Sequence, residues 1–244
     1  MIELLFEDAA SIAVSKPAGM VVIPARAEEE ALCLHASLQA SRGERLWVVH
    51  RLDRDTSGVV LFARTADEHR RLNGLFEKRE VQKRYLAWTR GAPPADEGVI
   101  DTALHTARKG KMRPAAVGEE GALPSRTRYR VTHRWEGLPG GALCLLEASP
   151  ETGRQHQIRV HLRSVNAPLA VDPVYGRASK VTVAELGGEG DGVALGRLSL
   201  HAAHITWTSA SGASVAVDAP WPADLLAWQA ALDAAVQRGA CVAR

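Results

Sequence analysis

Residues 50–58 read HRLDRDTSG, set between LWVV at 46–49 and VVLFA at 59–63. Short apolar runs bounded by turn residues read as buried strands, yet the nine residues joining them include two arginines, two aspartates and a histidine. A plain connection would need a Gly or Asn turn and little charge, so this loop is the stretch to explain, and its neighbours set the fold class. Upstream, EALCLHASLQASRG (30–43) puts Leu34 and Leu38 one helical turn apart and stops at Gly43, which predicts a short helix. Downstream, TADEHRRLNGLFEKR (65–79) has Thr65 and Glu68 in capping-box spacing, with Leu72, Leu75 and Phe76 on one face; a helix follows. From Val81 the period changes to two. In VQKRYLAWTRG, Tyr85, Ala87 and Thr89 share one strand face, and Arg84, Leu86 and Trp88 share the other.

Further along, HTARKGKMRPAAVGEEGALPSR (105–126) has Gly, Pro and basic residues without a clear period and predicts an exposed, partly mobile loop. RTRYRVTHRW (126–135) and GALCLLEASP (141–150) read as adjacent strands. TGRQHQIRVHLRSV then predicts a helix over 153–165, with Ile158, Leu162 and Val165 buried and Gln155, Arg159 and Arg163 forming a polar stripe. GGEGDG (187–192) is a loop, RLSLHAAHITW (197–207) a strand, and PADLLAWQAALDAAV (222–236) a closing amphipathic helix. Strands and helices mixed without a regular β-α-β rhythm predict an α+β fold with a mixed, mostly antiparallel sheet flanked by helices.

The 244 residues suffice for one large domain with a sizeable core, and 46% hydrophobic with 24% charged residues is ordinary globular composition. No apolar run approaches the ~20 residues of a membrane span, and the start, MIELLFED, lacks a basic leader; a soluble, cytoplasmic protein is expected. Cys33, Cys144 and Cys241 are scattered and lack C-x-x-C spacing, against both a disulfide scaffold and a zinc site. The net charge of +2 hides an uneven distribution: Lys and Arg exceed Asp and Glu by 10 to 6 over residues 51–90 and by 8 to 2 over 105–134. A basic middle between acidic ends suits one face that meets phosphates.

Several chemistries fail on spacing. His50, Asp53 and Ser57 are crowded together, whereas a nucleophilic triad is assembled from distant positions, and no G-x-S-x-G occurs. His201 and His204 would face opposite sides of a strand, and His156 and His161 are five apart rather than four, so neither pair suits a metal. No phosphate-cradling glycine motif is present. Asp53 and Asp55 remain, either as an acid and base pair on a glycosidic bond or as ion-pair partners of Arg51 and Arg54, the commoner fate of such residues.

HRLDRDTSG with the following VVLFA resembles the signature of the RluA-type family of RNA pseudouridine synthases. KPAGMVV (16–22), KRYLAW (83–88), TGRQHQIRVHL (152–162), APLAVDPVYG (167–176) and RLSLHAAHITW (197–207) resemble further family motifs in the same order, covering nearly the whole chain. The resemblance implies a pseudouridine synthase fold over residues 1–244, a single catalytic domain whose sheet is split by a basic active-site cleft; many relatives carry an extra N-terminal RNA-binding domain, and because this chain begins almost at the first motif no separate one is expected. It implies isomerisation of a specific uridine in structured RNA, ribosomal RNA or tRNA, by a monomer without metal, cofactor, nucleotide or membrane partner. The family's catalytic aspartate maps to Asp53, which acts either as a nucleophile on sugar or base or as the base that removes a sugar proton; Asp55 has no such role. Tyr85 matches the tyrosine that packs on the target base, and Arg159 the arginine that pairs with the catalytic aspartate. Arg51 matches the residue that fills the RNA stack when the target is flipped out, a step that costs a few kcal/mol. Arg54, Arg154, Lys109, Lys111 and Arg113 are expected backbone contacts, Arg154 near a helix start suited to phosphate. Where the third motif commonly continues with a glycine and then a Gly-Asp pair, this chain has Asn166, Ala167 and Val171, which leaves the turn geometry there open. The rivals are a non-catalytic RNA-binding protein on the same scaffold, against which the joint presence of Asp53, Tyr85 and Arg159 speaks, and a hydrolase cutting a base-sugar bond with Asp53 and Asp55.

Overall fold

The computed structural model describes residues 2–24, 33–176 and 178–242, with side chains through 238. In chain order the elements are β1 (Glu3–Glu7), β2 (Ser11–Lys16), α1 (Leu34–Arg42), β3 (Trp47–Val48), β4 (Ser57–Ala63), α2 (Ala66–Glu77), β5 (Gln82–Arg90), β6 (Glu97–Asp101), β7 (Leu104–Thr106), β8 (Met112–Pro114), β9 (Arg126–Trp135), β10 (Leu143–Pro150), α3 (Gln157–Ser164), β11 (Val181–Thr182), β12 (Val193–Leu195), β13 (Leu200–Thr208), β14 (Ser214–Asp218) and α4 (Ala223–Val242). They divide into two compact units, Met1–Arg84 with His201–Trp221, and Tyr85–Leu200 with Pro222–Arg244.

In the first unit the strand order is β1-β2-β4-β13, with β3 against β4 and β14 against β13. All of these pairs are antiparallel except β4 and β13, which run parallel through His201 opposite Ser57 and Ala202 opposite Gly58. VVLFA lies inside β4, whose seven residues are all buried, as a continuous apolar run in a covered strand should be. Its Val59, Leu61 and Ala63 pack with Leu72 of α2, Val81, and Ile205 and Trp207 of β13. The expected cap of α2 is present: Glu68 N donates to Thr65 Oγ1 at 3.1 Å. Helix α1 ends at Gly43 in the left-handed conformation, φ 65°; residues 30–32 of its expected span lie outside the described residues.

The second unit is antiparallel throughout in the order β5-β10-β9-β6. RTRYRVTHRW and GALCLLEASP form neighbouring strands, as expected. Their inner face packs Ala87, Tyr129, Leu146 and Ala148 against Ile158 and Leu162 of α3. Helix α4 is tied to β9 where Trp135 Nε1 donates to Asp233 Oδ1 at 2.7 Å. Cys33 and Cys144 are buried free thiols, and Cys241 lies beyond the described side chains. Among the described residues no helix is long and apolar enough to cross a membrane, and no group of three or more His, Cys, Asp or Glu could hold a metal.

Two expectations change. Residues 105–126 are not wholly an irregular loop, because β7 and β8 pair as a hairpin with Leu104 and Met112 buried. Its tight tip uses left-handed backbone at Lys109 (φ 57°) and Gly110 (φ 68°). Helix α3 begins at Gln157 rather than 153. The Gln157 Oε1 closes a turn ahead of it by accepting from Arg154 N at 3.0 Å and Thr152 Oγ1 at 2.7 Å. His156 follows with φ 52°, outside helical geometry. Within α3, Arg163 is exposed but Arg159 is only 6% exposed, so the expected polar stripe turns inward at Arg159.

Candidate active site

In the first unit, HRLDRDTSG is a loop pinned at both ends. At its start, Leu61 N of β4 donates to His50 Nε2 at 2.9 Å. That bond requires an unprotonated Nε2, and burial, followed by the charge of Lys83, pushes the His50 pKa down to about 3. Phe76 stacks on the ring at 5.1 Å. Lys83 reaches over the other aromatic partner, Phe76, at 5.8 Å, and burial lowers its pKa to about 8.

At the other end the anchor is Lys16, from KPAGMVV. It is completely buried, and its Nζ donates to the carbonyls of Pro17 (2.9 Å), Met20 (2.6 Å) and Arg54 (2.8 Å). Three ammonium donors meet three carbonyl acceptors, the arrangement that makes a buried cation tolerable. Gly19 N adds a bond to the same Arg54 carbonyl at 3.0 Å. Thr56 N donates to the Asp53 carbonyl at 3.2 Å, closing the turn. This backbone presents the two aspartates differently: Asp53 is half-buried, whereas Asp55, Arg51 and Arg54 are exposed.

The loop then enters β4 through Ser57, whose hydroxyl is hydrogen-bonded to His201 Nδ1 at 2.8 Å, and Gly58. Gly58 has φ 120°, and a Cβ there would stand 2.1 Å from the Ala202 carbonyl oxygen. Only glycine lets β13 approach closely enough for the parallel pairing. His201 is thus a buried structural histidine, while His204 bonds Thr206 on the same strand and Asp218 on the neighbouring β14.

The second unit holds Tyr85, Arg159 and the basic hairpin. Tyr85 is half-buried in β5, opposite Ala148, and packs on the inner core face. Arg159 is gripped by Asp172: Nε donates to Oδ2 at 2.8 Å and Nη2 to Oδ1 at 2.7 Å, the bidentate geometry that fixes a guanidinium plane. Asp172 is 1% exposed. Burial alone would raise its pKa, but the Arg159 hydrogen bonds and charge, with the amides of Tyr175 and Val174, outweigh it and hold the carboxyl below its usual value. A Cβ at Gly176 would meet the Asp172 carbonyl oxygen at 2.7 Å, so the turn carrying Asp172 also depends on glycine. Asn166, where a glycine is common, adopts φ 60°, a region asparagine tolerates; the departure leaves the turn intact. Arg154 is exposed, with Nε donating to Pro124 O at 3.2 Å. Lys109, Lys111 and Arg113 are exposed on the hairpin, and Arg113 is ion-paired with Glu119.

Arg51, Asp53 and Arg54 therefore share one loop, and Tyr85, Arg154, Arg159, Lys109, Lys111 and Arg113 belong to the other unit. Sequence reasoning missed Lys16 and Asp172 as supports. The signals were present: a lysine at the end of a strand before Pro-Ala-Gly, and an aspartate before Pro-Val-Tyr-Gly.

A family model described as RNA pseudouridylate synthase matches residues 10–164. Ribosomal large subunit pseudouridine synthase D of Zymomonas mobilis is 35% identical over 92% of this chain and 70% of its own length. The Nitrosomonas europaea protein of the same name is 41% identical over 73% of this chain and 51% of its own. The dual-specificity RNA pseudouridine synthase RluA of Vibrio vulnificus is 33% identical over 84% and 77%. Among solved structures, human RNA pseudouridylate synthase domain containing 4 matches with a TM-score of 0.72 at 24% identity, over 95% of this chain and 93% of that one, a likeness of fold. With its mixed, mostly antiparallel α+β architecture and these relatives, the chain belongs to the RluA-type family of RNA pseudouridine synthases.

Proposed function

We propose that the protein isomerises a uridine within structured RNA, ribosomal or transfer, with Asp53 as the catalytic carboxylate. The observation that carries the choice of residue is the contrast within one loop. Asp53 is half-buried on backbone locked by Lys16, whereas Asp55 points to solvent. In the reaction the N1–C1′ bond breaks, the base turns, a C5–C1′ bond forms, and the C5 proton leaves while N1 gains one, so RNA mass is unchanged. Asp53 acts on sugar or base, Tyr85 packs on the extruded base, and Arg159, kept charged and oriented by Asp172, is the arginine of the reaction. Arg51, Arg54, Arg154, Lys109, Lys111 and Arg113 meet the RNA, with Arg51 stacking where the uridine left. The protein acts as a monomeric cytoplasmic catalytic domain, and no cofactor takes part. Relatives named for ribosomal large subunit, tRNA and dual-specificity modification support both RNA classes.

The test is a pseudouridine map of total RNA from cells with and without the protein, then with wild type or Asp53→Ala restored. A site that vanishes on deletion and returns only with wild type is expected. No lost site, or rescue by Asp53→Ala, overturns the proposal, and loss of base mass from the RNA would point to hydrolysis instead.

A further inference from the structure

Tyr175 occupies a junction that the reaction as proposed does not use. It is 7% exposed and shares a small core with Leu104 and Met112, one from each hairpin strand, and Val160 of α3. Its hydroxyl accepts from the backbone Met112 N at 2.8 Å and is hydrogen-bonded to His156 Nδ1 at 2.7 Å, just ahead of α3. Its ring lies beneath the Arg159 guanidinium, 5.0 Å from Cζ to the centroid. Its backbone N–H donates to Asp172 Oδ1 at 3.0 Å, the oxygen that also holds Arg159 Nη2 at 2.7 Å. One side chain thus touches the base of the basic hairpin, the residue before the helix, and the arginine on that helix. The hairpin has one further tie to the same turn, Gln155 Nε2 to Gly110 O at 3.4 Å.

We propose that Tyr175 is a positioning residue that couples the grip of the Lys109–Lys111 hairpin tip on RNA phosphate to the orientation of the Arg159–Asp172 pair. A hairpin drawn onto RNA pulls on Met112, whose amide is bonded to the hydroxyl of a ring packed face-on against the guanidinium. Small displacements of a catalytic group lower rates strongly, so a correctly seated hairpin raises the rate of the chemical step as well as affinity. This rests on the reading that Arg159 serves the isomerisation.

The test is single-turnover release of tritium from RNA labelled at uridine C5, with enzyme saturating, using large-subunit ribosomal RNA and tRNA transcripts as probes. Tyr175→Phe keeps the ring and its volume and removes only the hydroxyl. Its rate constant should fall about tenfold or more, with the RNA Kd changed less than about threefold and the melting temperature nearly kept. Lys109→Ala with Lys111→Ala, at exposed positions, should also lower the rate constant at saturation, and adding Tyr175→Phe to it should cost less than about threefold more. An unchanged rate in Tyr175→Phe, a tip variant that loses affinity alone, or losses that multiply would overturn the coupling. Because the tip variant keeps its core, that arm decides the matter even if Tyr175→Phe folds poorly. Arg159→Lys separates the two readings: if it retains full rate, the role of Arg159 fails; if it is inactive while Tyr175→Phe is unaffected, the coupling alone fails.

Discussion

Replacing Lys16 with methionine tests how the Asp53 loop is held. The side chains are similar in length, and Lys16 is wholly buried, so the substitution removes the charge and its donors while nearly keeping volume. Three hydrogen bonds at 2.6–2.9 Å disappear. Bonds to a charged partner contribute roughly 1.5–3 kcal/mol each, but methionine also escapes the desolvation of a buried ammonium. The Arg54 carbonyl keeps one donor, Gly19 N, whereas the Pro17 and Met20 carbonyls lose the lysine. Leaving an acceptor without its donor costs about 1–3 kcal/mol, so the loss at these two carbonyls should cost roughly 2–6 kcal/mol, a drop of roughly 4–24 °C in melting temperature for a chain this size. Calorimetry at pH 7.5 reads the stability and C5-tritium release the rate. Because the Arg54 carbonyl sits one residue from Asp53, the rate of the surviving folded protein should fall by more than its RNA affinity. A variant melting within about 2 °C of wild type, with full rate, would refute the claim that Lys16 locks the loop.

Gly58→Ala should cost at least 1–3 kcal/mol from backbone strain alone (~2 kcal/mol at the centre of that range), and more from the overlap with Ala202; near-wild-type denaturant midpoints would contradict the tight β4–β13 approach. His50 is neutral when folded, with a pKa lowered from 6.5 to about 3. The unfolded chain therefore binds a proton that the folded one does not between those values, and stability from this group, complete above pH 6.5, is lost as pH falls towards 3. His50→Gln should flatten the melting-temperature profile between these limits, and an unchanged slope would refute the assignment. On the hairpin, Lys109→Ala with Lys111→Ala should reduce the dependence of log affinity on log salt by about 1.5. Arg113→Ala, already ion-paired with Glu119, should change it less; filter binding over a salt series measures both.

Local signals carried the parts of the fold that local physics controls. The apolar run of β4, the Thr65 cap, the Gly43 stop and the period-two pattern around Tyr85 each appear where neighbouring residues alone dictate them. What stayed hidden depends on partners distant in sequence. Lys16 reads as a surface charge until the Arg54 carbonyl, 38 residues on, is brought to it. Arg159 reads as solvated until Asp172 folds over the helix. The β7–β8 hairpin is only three residues a side, and its Leu104 and Met112 pack with Val160 and Tyr175, partners distant in sequence. The β6 and β14 strands, five residues each, give too few periods to stand out. The two aspartates of HRLDRDTSG are alike in local sequence and only the family resemblance ranks them; in the structure Asp53 is half-buried and Asp55 exposed.

The most direct measurement of the central claim is tritium release from C5-labelled RNA by purified protein, comparing wild type, Asp53→Asn and Asp55→Asn, with the product digested and weighed. Wild type should release tritium with unchanged RNA mass, Asp53→Asn should lose at least about a thousandfold in rate, and Asp55→Asn should retain substantial activity. Equal loss from both substitutions, or full activity in Asp53→Asn, would contradict that claim.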